Sequence, residues 1–293
     1  RIKIMKQIST QRHQLAEGPF WSQAEQALYW VDIPACQVWR WHQASNETQH
    51  WTLPKKVSAV FTTQSDRLLV ALSDEIAYLD KTTGELEHLC DLDTDIAGNR
   101  SNDAKCDPNG VLWVGTMDDA EKVASGRLWK ITPEGKKTLM LEGIGIANTL
   151  AWDESRQRFY FGDSMTRKIH AFPYPEFYDV RQQKPFFEVK EGIGADGSCI
   201  DSDDCLWNAN WDGARVVRYS PDGDVLQTIE LPFSKPTCCV FGGENGMTLF
   251  ITSASVATSD EALANQPLAG HVVAIDLTKM NIAGAPSQPF AGA

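Results

Sequence analysis

The sequence predicts an all-β fold, a six-bladed β-propeller with four antiparallel strands in each blade. Three observations support this prediction: a short apolar run that recurs six times, a spacing of about forty residues between runs, and turn residues between short strands. The runs are centred at positions 30, 69, 113, 160, 207 and 250, so their spacings are 39, 44, 47, 47 and 43 residues. Such a repeat is typical of a propeller, whose packed blades bury faces that a lone four-stranded sheet would expose.

Each repeat is predicted to pass through its four strands in the same order. The inner strand lies at the central channel, the apolar run is the second strand, and two more strands follow across turns. The second strands are predicted at 28–32, 68–72, 112–115, 159–163, 206–209 and 249–252. The third strands are predicted at 37–41, 75–79, 126–131, 168–172, 214–219 and 271–275. Edge-like fourth strands include 136–141 and 224–229.

Turn residues support this division of the chain. The segment 107–110 reads Asp-Pro-Asn-Gly, and Pro and Asn-Gly supply the backbone angles that a tight turn needs. Similar signals stand at 80–84, 133–135 and 221–223. We expect one or two helical turns inside a loop at 258–266 and β-structure elsewhere.

The totals exclude several classes of protein. We expect the 293 residues, 1–293, to form a single propeller domain. The net charge of −12 argues against a nucleic-acid partner, because phosphate recognition needs clustered Lys and Arg. No apolar run is long enough to cross a bilayer, so no membrane partner is expected. Seven irregularly spaced cysteines and the lack of a secretory leader predict reduced thiols in a cytoplasmic protein, although position 1 is not Met and a removed signal stays open.

Polar residues recur at the start of the inner strands, 11 to 13 residues before the centre of each apolar run. They are Glu17, Ser58, Asn102, Asn148, Asp196 and the Thr237-Cys238 pair. Equal phase in a propeller means equal depth at one mouth of the channel. Taken alone, each of these residues could simply be part of a turn. Four of them, however, carry strong oxygen ligands at the same position of their repeats, which favours a binding site: Glu17, Asn102, Asn148 and Asp196.

Two carboxylates and two carboxamides suit a hard divalent cation, which prefers oxygen ligands. Arg100 should reach the same mouth, where it would bind a substrate oxygen or pair with a nearby acid. The Asp118-Asp119 pair is interpreted as a solvated loop. The six histidines share no phase and are interpreted as surface or strand residues.

Several of these segments resemble the senescence-marker/gluconolactonase family, also called the regucalcin and luciferin-regenerating-enzyme family. The resemblance extends from about residue 12 to 280 and is carried by 15–21, 28–33, 99–110, 115–117, 147–152 and 195–201. It implies a six-bladed propeller with one catalytic divalent metal, and many members hydrolyse aldonolactones. By resemblance, Glu17, Asn148 and Asp196 are the metal ligands, and Arg100 and Asn102 bind substrate.

One departure from the family concerns a glutamate that commonly follows the Gly-Thr-Met motif. Its position holds Ala120 here, so the contact is absent or is provided by Asp119 or Glu121. This departure puts the identity of the sugar in doubt, but it does not change the reaction class that the resemblance implies.

The resulting hypothesis is metal-assisted hydrolysis of a sugar lactone to the aldonic acid, with Asp196 accepting the proton of the attacking water. Two rivals stay open. One is an esterase or organophosphate hydrolase on the same site, and the other is a non-catalytic propeller that binds metal or another protein. The native ion (Ca, Mg, Mn, Zn or Fe(II)), the lactone ring size and the oligomeric state are not determined by these residues.

Overall fold

The computed structural model describes residues 5–293 and contains six four-stranded antiparallel sheets, which confirms the predicted six-bladed β-propeller. The first strand, β1 (Met5–Gln7), belongs to the last blade. Blade 1 consists of β2 (Ala16–Ser22), β3 (Ala27–Asp32), β4 (Gln37–His42) and β5 (Thr48–Thr52). Blade 2 consists of β6 (Val57–Thr62), β7 (Leu68–Leu72), β8 (Glu75–Leu79) and β9 (Leu86–Asp91). Blade 3 consists of β10 (Asn99–Cys106), β11 (Leu112–Asp118), β12 (Gly126–Ile131) and β13 (Lys137–Ile144).

The second half of the chain repeats the arrangement. Blade 4 consists of β14 (Ala147–Asp153), β15 (Arg158–Asp163), β16 (Lys168–Pro173) and the two-residue β17 (Phe187–Glu188). Blade 5 consists of β18 (Gly194–Ile200), β19 (Leu206–Trp211), β20 (Arg215–Tyr219) and β21 (Val225–Glu230). Blade 6 consists of β22 (Pro236–Gly242), β23 (Thr248–Ser253), β24 (Val273–Asp276) and β1. The expected helical segment is α1 (Asp260–Ala264), capped by the Ser259 hydroxyl.

The inner strands contact one another in a closed cycle, in the order β2, β6, β10, β14, β18, β22 and back to β2. Apolar side chains fill the spaces between blades. Trp21 of blade 1 stacks on Phe250 of blade 6 at 5.4 Å between ring centroids, and Phe20 of blade 1 meets Phe61 of blade 2 edge to face at 6.0 Å. Strands β3 and β7 are buried along their whole length, which is why they read as continuous apolar runs rather than as alternating patterns.

The ring is closed by the N-terminal strand, which the sequence pattern did not predict. Strand β1 pairs antiparallel with β24, with Met5 opposite Ile275 and Gln7 opposite Val273. The ladder continues past β1, where the N–H of Ile8 donates to the carbonyl of Val272 at 2.8 Å. The chain after β24 supplies only a 3₁₀ turn at Thr278–Met280, so the fourth strand of blade 6 comes from the other end of the molecule.

The Asp-Pro-Asn-Gly turn of blade 3 is tied to the adjoining strand. One carboxylate oxygen of Asp107 accepts the N–H groups of Asn109 and Val111, and the other accepts the indole N–H of Trp113 at 3.0 Å. Blade 5 repeats the tie, with Trp207 donating to Asp201 at 2.9 Å. The turn and the apolar run therefore form one local unit.

The interpretation of the histidines was wrong for His13 and His271. His13 lies in a loop and is fully buried, because its ring packs edge to face on Trp30 and Trp39 and its Nε2 accepts the Trp30 indole N–H at 3.0 Å. His271 is also buried and precedes β24, where its Nδ1 lies 3.2 Å from the hydroxyl of Ser9.

All seven cysteines are free thiols. Among residues 5–293, no helix has the length and apolar composition needed to cross a membrane.

Candidate active site

A β-bulge interrupts every inner strand at the position of the recurring polar residue. The breaks in register fall between Glu17 and Phe20, Val57 and Ala59, Ser101 and Ala104, Asn148 and Leu150, Ala195 and Ser198, and Pro236 and Cys238. A bulge adds a residue that is not paired in the ladder and re-aims the side chain that it carries. The common phase found in the sequence is therefore a common backbone feature at one level of the channel.

The bulges of blades 1 and 5 bring two carboxyl groups together. Glu17 and Asp196 are 6% and 7% exposed, and their side chains lie within hydrogen-bonding reach of each other. Burial, followed by the charges of Asp196 and Asp103, raises the pKa of Glu17 well above its ordinary value. Burial and then the charge of Asp103 likewise raise the pKa of Asp196. The Oδ1 atom of Asp196 is buried without a hydrogen-bond partner in the described part of the chain.

Two carboxamides lie beside these acids. Asn148 is buried, and its Nδ2 donates to the hydroxyl of Ser164 at 2.8 Å, so its Oδ1 stays available as an acceptor. The Nδ2 of Asn102 donates to the carbonyl of Ala147 at 2.7 Å and lies 3.4 Å from that Oδ1 atom. The structure therefore gathers the carboxamides of blades 3 and 4 at the same level as the two acids.

Arg100 reaches the same group of residues and also forms an ion pair. Its Nη1 donates to Oδ1 of Asn102 at 3.1 Å, and its Nε donates to Oδ1 of Asp119 at 2.7 Å. Its Nη2 has no hydrogen-bond partner among residues 5–293, so one edge of the guanidinium is left for another ligand. The two interpretations offered for Arg100 are thus compatible, because pairing with Asp119 orients the guanidinium without using all of its donors.

Asp119 is exposed in the turn after β11, as expected, but its carboxylate also forms two ion pairs. Its second oxygen accepts the ammonium of Lys56 at 2.7 Å, so the carboxylate bridges Lys56 and Arg100. Burial pushes the pKa of Asp119 upward, but the hydrogen bonds from Lys56 and Arg100 outweigh burial and hold it below its ordinary value. Ala120 has no polar side chain, and Glu121 is exposed.

A layer of buried polar residues beneath these side chains was missed by the sequence analysis. Asp103 accepts the N–H of Thr149 at 3.0 Å, and Thr149 in turn donates its hydroxyl to the carbonyl of Asp196 at 2.6 Å. Lys105 extends from blade 3 and donates to the carbonyl of Ser198. One feature of the sequence could have indicated these buried residues: Asp103 directly follows Asn102, and Thr149 directly follows Asn148.

The chemistry of the donor set fits a divalent cation. Glu17, Asp103 and Asp196 are all buried, and the charge of Asp103 acts on the other two carboxyl groups. A carboxylate oxygen without a hydrogen-bond partner, such as Oδ1 of Asp196, is energetically costly unless a proton or a cation satisfies it. No three His, Cys, Asp or Glu side chains of residues 5–293 are grouped so as to hold a metal ion by themselves. A site here needs the carboxamide oxygen of Asn148 as well as the two acids.

Comparison with known proteins identifies the family to which this chain is related. Residues 15–255 match the SMP-30/gluconolactonase/LRE-like region. The chain belongs to this family. It is 33% identical to L-arabinolactonase of Azospirillum brasilense over 290 residues, covering 97% of this chain and 95% of the relative. It is 34% identical to 6-deoxy-6-sulfogluconolactonase of Pseudomonas putida over 293 residues, covering 99% of both chains.

A solved member of the family has the same fold. The calcium-binding protein regucalcin from Agrobacterium tumefaciens superposes with a TM-score of 0.87 at 27% identity, covering 98% of this chain and 97% of that one. The family predicted from the sequence is therefore confirmed. The assignment of Glu17, Asn148 and Asp196 as metal ligands, and of Arg100 and Asn102 as substrate contacts, stays a prediction.

Proposed function

We propose that this protein is a divalent-metal-dependent lactonase that hydrolyses a sugar lactone to the aldonic acid. The observation that carries the proposal is the buried pair of Glu17 and Asp196, in which Oδ1 of Asp196 has no hydrogen-bond partner in the described structure. Two like-charged carboxyl groups in a buried site are costly for a protein that binds nothing there. The lactonases among the curated relatives support the reaction class, and the calcium-binding relative supports the need for a metal.

The proposed ligands are Glu17, Asn148 and Asp196, which come from blades 1, 4 and 5. A divalent cation bound there would polarise the lactone carbonyl and stabilise the oxyanion that develops when water adds. The native ion is left open, because Ca, Mg, Mn, Zn and Fe(II) all accept oxygen donors.

The remaining steps are assigned to the chain's own side chains. Asp196 accepts a proton from the attacking water at Oδ1. As the bond between the carbonyl carbon and the ring oxygen breaks, that proton is returned to the ring oxygen, which leaves as a hydroxyl. Arg100 offers its free Nη2, and together with Asn102 it holds hydroxyl or ring oxygens of the sugar in place.

Two further features of the protein are proposed. The pairing of β1 with β24 supports a single domain for 1–293, because the last blade needs residues from both ends of the chain; residues 1–4 lie outside the described part. The seven free thiols support a cytoplasmic location, since reducing compartments keep cysteines unpaired.

The test measures acid release in weak buffer with metal-stripped protein to which Ca, Mg, Mn, Zn or Fe(II) is restored in turn. The substrates are the lactones of gluconate, xylonate, arabinonate and galactonate, with an aryl ester and an organophosphate beside them. We expect metal-dependent opening of at least one sugar lactone and its loss in Asp196→Ala. The exposed Asp66 provides the matched control, and Asp66→Ala should retain activity.

Each other result assigns a different function. Turnover of the ester or organophosphate without any sugar lactone would identify the first rival. No metal-enhanced turnover of any substrate would favour a non-catalytic propeller. Full activity in Asp196→Ala would remove Asp196 from the mechanism.

A further inference from the structure

Thr149, the residue after the proposed ligand Asn148, has a backbone conformation that threonine seldom adopts. Its φ is 60°, it is fully buried, and it is the extra residue of the bulge between Asn148 and Leu150. In blade 1 the residue after Glu17 has nearly the same φ, 56°, but is a glycine, Gly18. A β-branched residue in this region is an outlier that persists only where its surroundings hold it, and such outliers concentrate at functional sites.

The contacts of Thr149 show what holds it. Its N–H donates to Oδ2 of Asp103 in blade 3 at 3.0 Å. Its hydroxyl donates to the backbone carbonyl of Asp196 in blade 5 at 2.6 Å and lies 2.8 Å from the hydroxyl of Ser198. A single residue of blade 4 is thus hydrogen-bonded to the bulges of both neighbouring blades. Glycine would adopt this backbone more easily, but it has no hydroxyl to reach Asp196.

We propose that Thr149 is a positioning residue whose hydroxyl sets the separation of Asn148 and Asp196, so that both side chains can bind one cation. This inference rests on the proposed function, because it takes these two residues as metal ligands. Thr149 does not touch the substrate or the ion. It acts through the backbone of Asp196 on one side and through its own peptide link to Asn148 on the other.

The surrounding hydrogen bonds allow this role to be separated from a general packing role. The Nδ2 of Asn208, in blade 5, donates to the carbonyl of Asp196 and to the hydroxyl of Ser198, each at 2.9 Å. Removal of the Thr149 hydroxyl therefore leaves the carbonyl of Asp196 and the hydroxyl oxygen of Ser198 with a donor in their own blade, while the link to blade 4 and the acceptor for the Ser198 O–H are lost. Ser164 provides a second link between the blades through the carbonyl of Ala195 at 2.6 Å, so the ring should stay closed.

The experiment compares Thr149→Val, Thr149→Gly and Thr149→Ser. Valine keeps the β-branched shape and loses the hydroxyl, glycine relieves the backbone and loses the hydroxyl, and serine keeps the hydroxyl. Thr116→Val is the matched control, because Thr116 is also fully buried and its hydroxyl bonds Asp93, away from the proposed ligands. Metal affinity is measured by titration calorimetry with whichever of Ca²⁺, Mg²⁺, Mn²⁺ or Zn²⁺ binds the wild type most tightly, and the melting temperature is measured on metal-free protein.

We expect Thr149→Val and Thr149→Gly to bind the ion about 10–100-fold more weakly, the range seen when groups that orient a ligand are removed. Thr149→Ser should bind as the wild type does, and Thr116→Val should lose thermal stability without losing affinity. Thr149→Gly should melt no lower than Thr149→Val, since glycine removes the backbone strain; if valine prevents folding, the glycine and serine variants decide the comparison.

Wild-type affinity in Thr149→Val or Thr149→Gly would overturn this inference and leave the proposed function standing. A loss in Thr149→Ser as large as that in Thr149→Val would also overturn it, because the hydroxyl would then not be the group that matters. A wild-type protein that binds none of the four ions and gains no activity with Fe(II) would instead overturn the proposed metal site, and this inference with it.

Discussion

The carboxyl group of Glu17 in blade 1 lies against that of Asp196 in blade 5, although 179 positions separate them in the chain. Burial is the largest cause that raises the pKa of each. Their contact is costly as long as no cation lies between them, because two buried acids then face each other without a counter-charge.

Replacement of Glu17 by glutamine should stabilise the metal-free protein and at the same time abolish metal binding. The amide removes the like-charge contact, so we expect the free energy of unfolding of the metal-free protein to rise by about 1–3 kcal/mol. Metal binding should be lost in the same variant. Urea unfolding in the presence of a chelator measures the first effect, and calorimetric titration measures the second. Glu244→Gln, at an exposed position, is the control; a Glu17→Gln protein that is less stable than wild type would contradict the prediction.

The stability of the metal-free protein should depend on pH through the same pair. The pKa values of Glu17 and Asp196 are raised in the folded state above their ordinary values of 4.5 and 3.8. The two protonated carboxyl groups therefore contribute fully to the stability of the folded protein at pH values below their ordinary pKa values. This contribution is lost as the pH rises through the raised pKa values of the folded state. We expect the difference in unfolding free energy between Glu17→Gln and wild type to be small near pH 4 and to widen toward neutral pH. A difference that stays constant over a pH series of urea titrations would refute this.

Substitution of Arg100 should affect the substrate more than the metal. Loss of its hydrogen bonds in Arg100→Met is expected to lower kcat/KM about 10–100-fold, the equivalent of one or two charge-assisted hydrogen bonds. Metal affinity should stay near the wild-type value, because Arg100 contacts Asn102 and Asp119 rather than the proposed ligands. Lys56→Met is the comparison variant, since its ion pair with Asp119 is exposed and is worth little. Steady-state kinetics on the preferred lactone measures this difference, and an equal loss in both variants would exclude a substrate-binding role for Arg100.

Deletion of residues 1–9 should destabilise blade 6 specifically. The deletion removes the ladder of β1 with β24 and the buried side chain of Ile8, which together contribute about 3 kcal/mol or more. The exposed edge of β24 should also favour self-association. Thermal unfolding and size-exclusion chromatography test both effects. A truncated protein with the wild-type melting temperature would show that β1 adds nothing to the closure.

The blades were predictable because their apolar runs are local. Runs such as 28–32 and 68–72 are buried on both faces, so they remain visible in the sequence as uninterrupted apolar residues. The phase of Glu17, Asn102, Asn148 and Asp196 was also visible, since each occupies the same bulge of its repeat.

The contacts between blades were not predictable in the same way. That Asp119 bridges Lys56 and Arg100 depends on how blade 2 packs against blade 3, which no spacing within one repeat encodes. The burial of His13 depends on two tryptophans of blade 1 that close over its loop. The strain at Thr149 is invisible in a sequence, because threonine is an ordinary strand residue wherever φ is negative.

The pairing of β1 with β24 has a consequence for biosynthesis. The ribosome releases β1 before every other strand of the ring and β24 after all of them, so β1 has no partner while the five intervening blades are made. Closure of the ring must wait until β24 has been made, and a prematurely terminated chain that lacks β24 would leave β1 unattached. Quality-control proteases would then meet an incomplete ring with a free end.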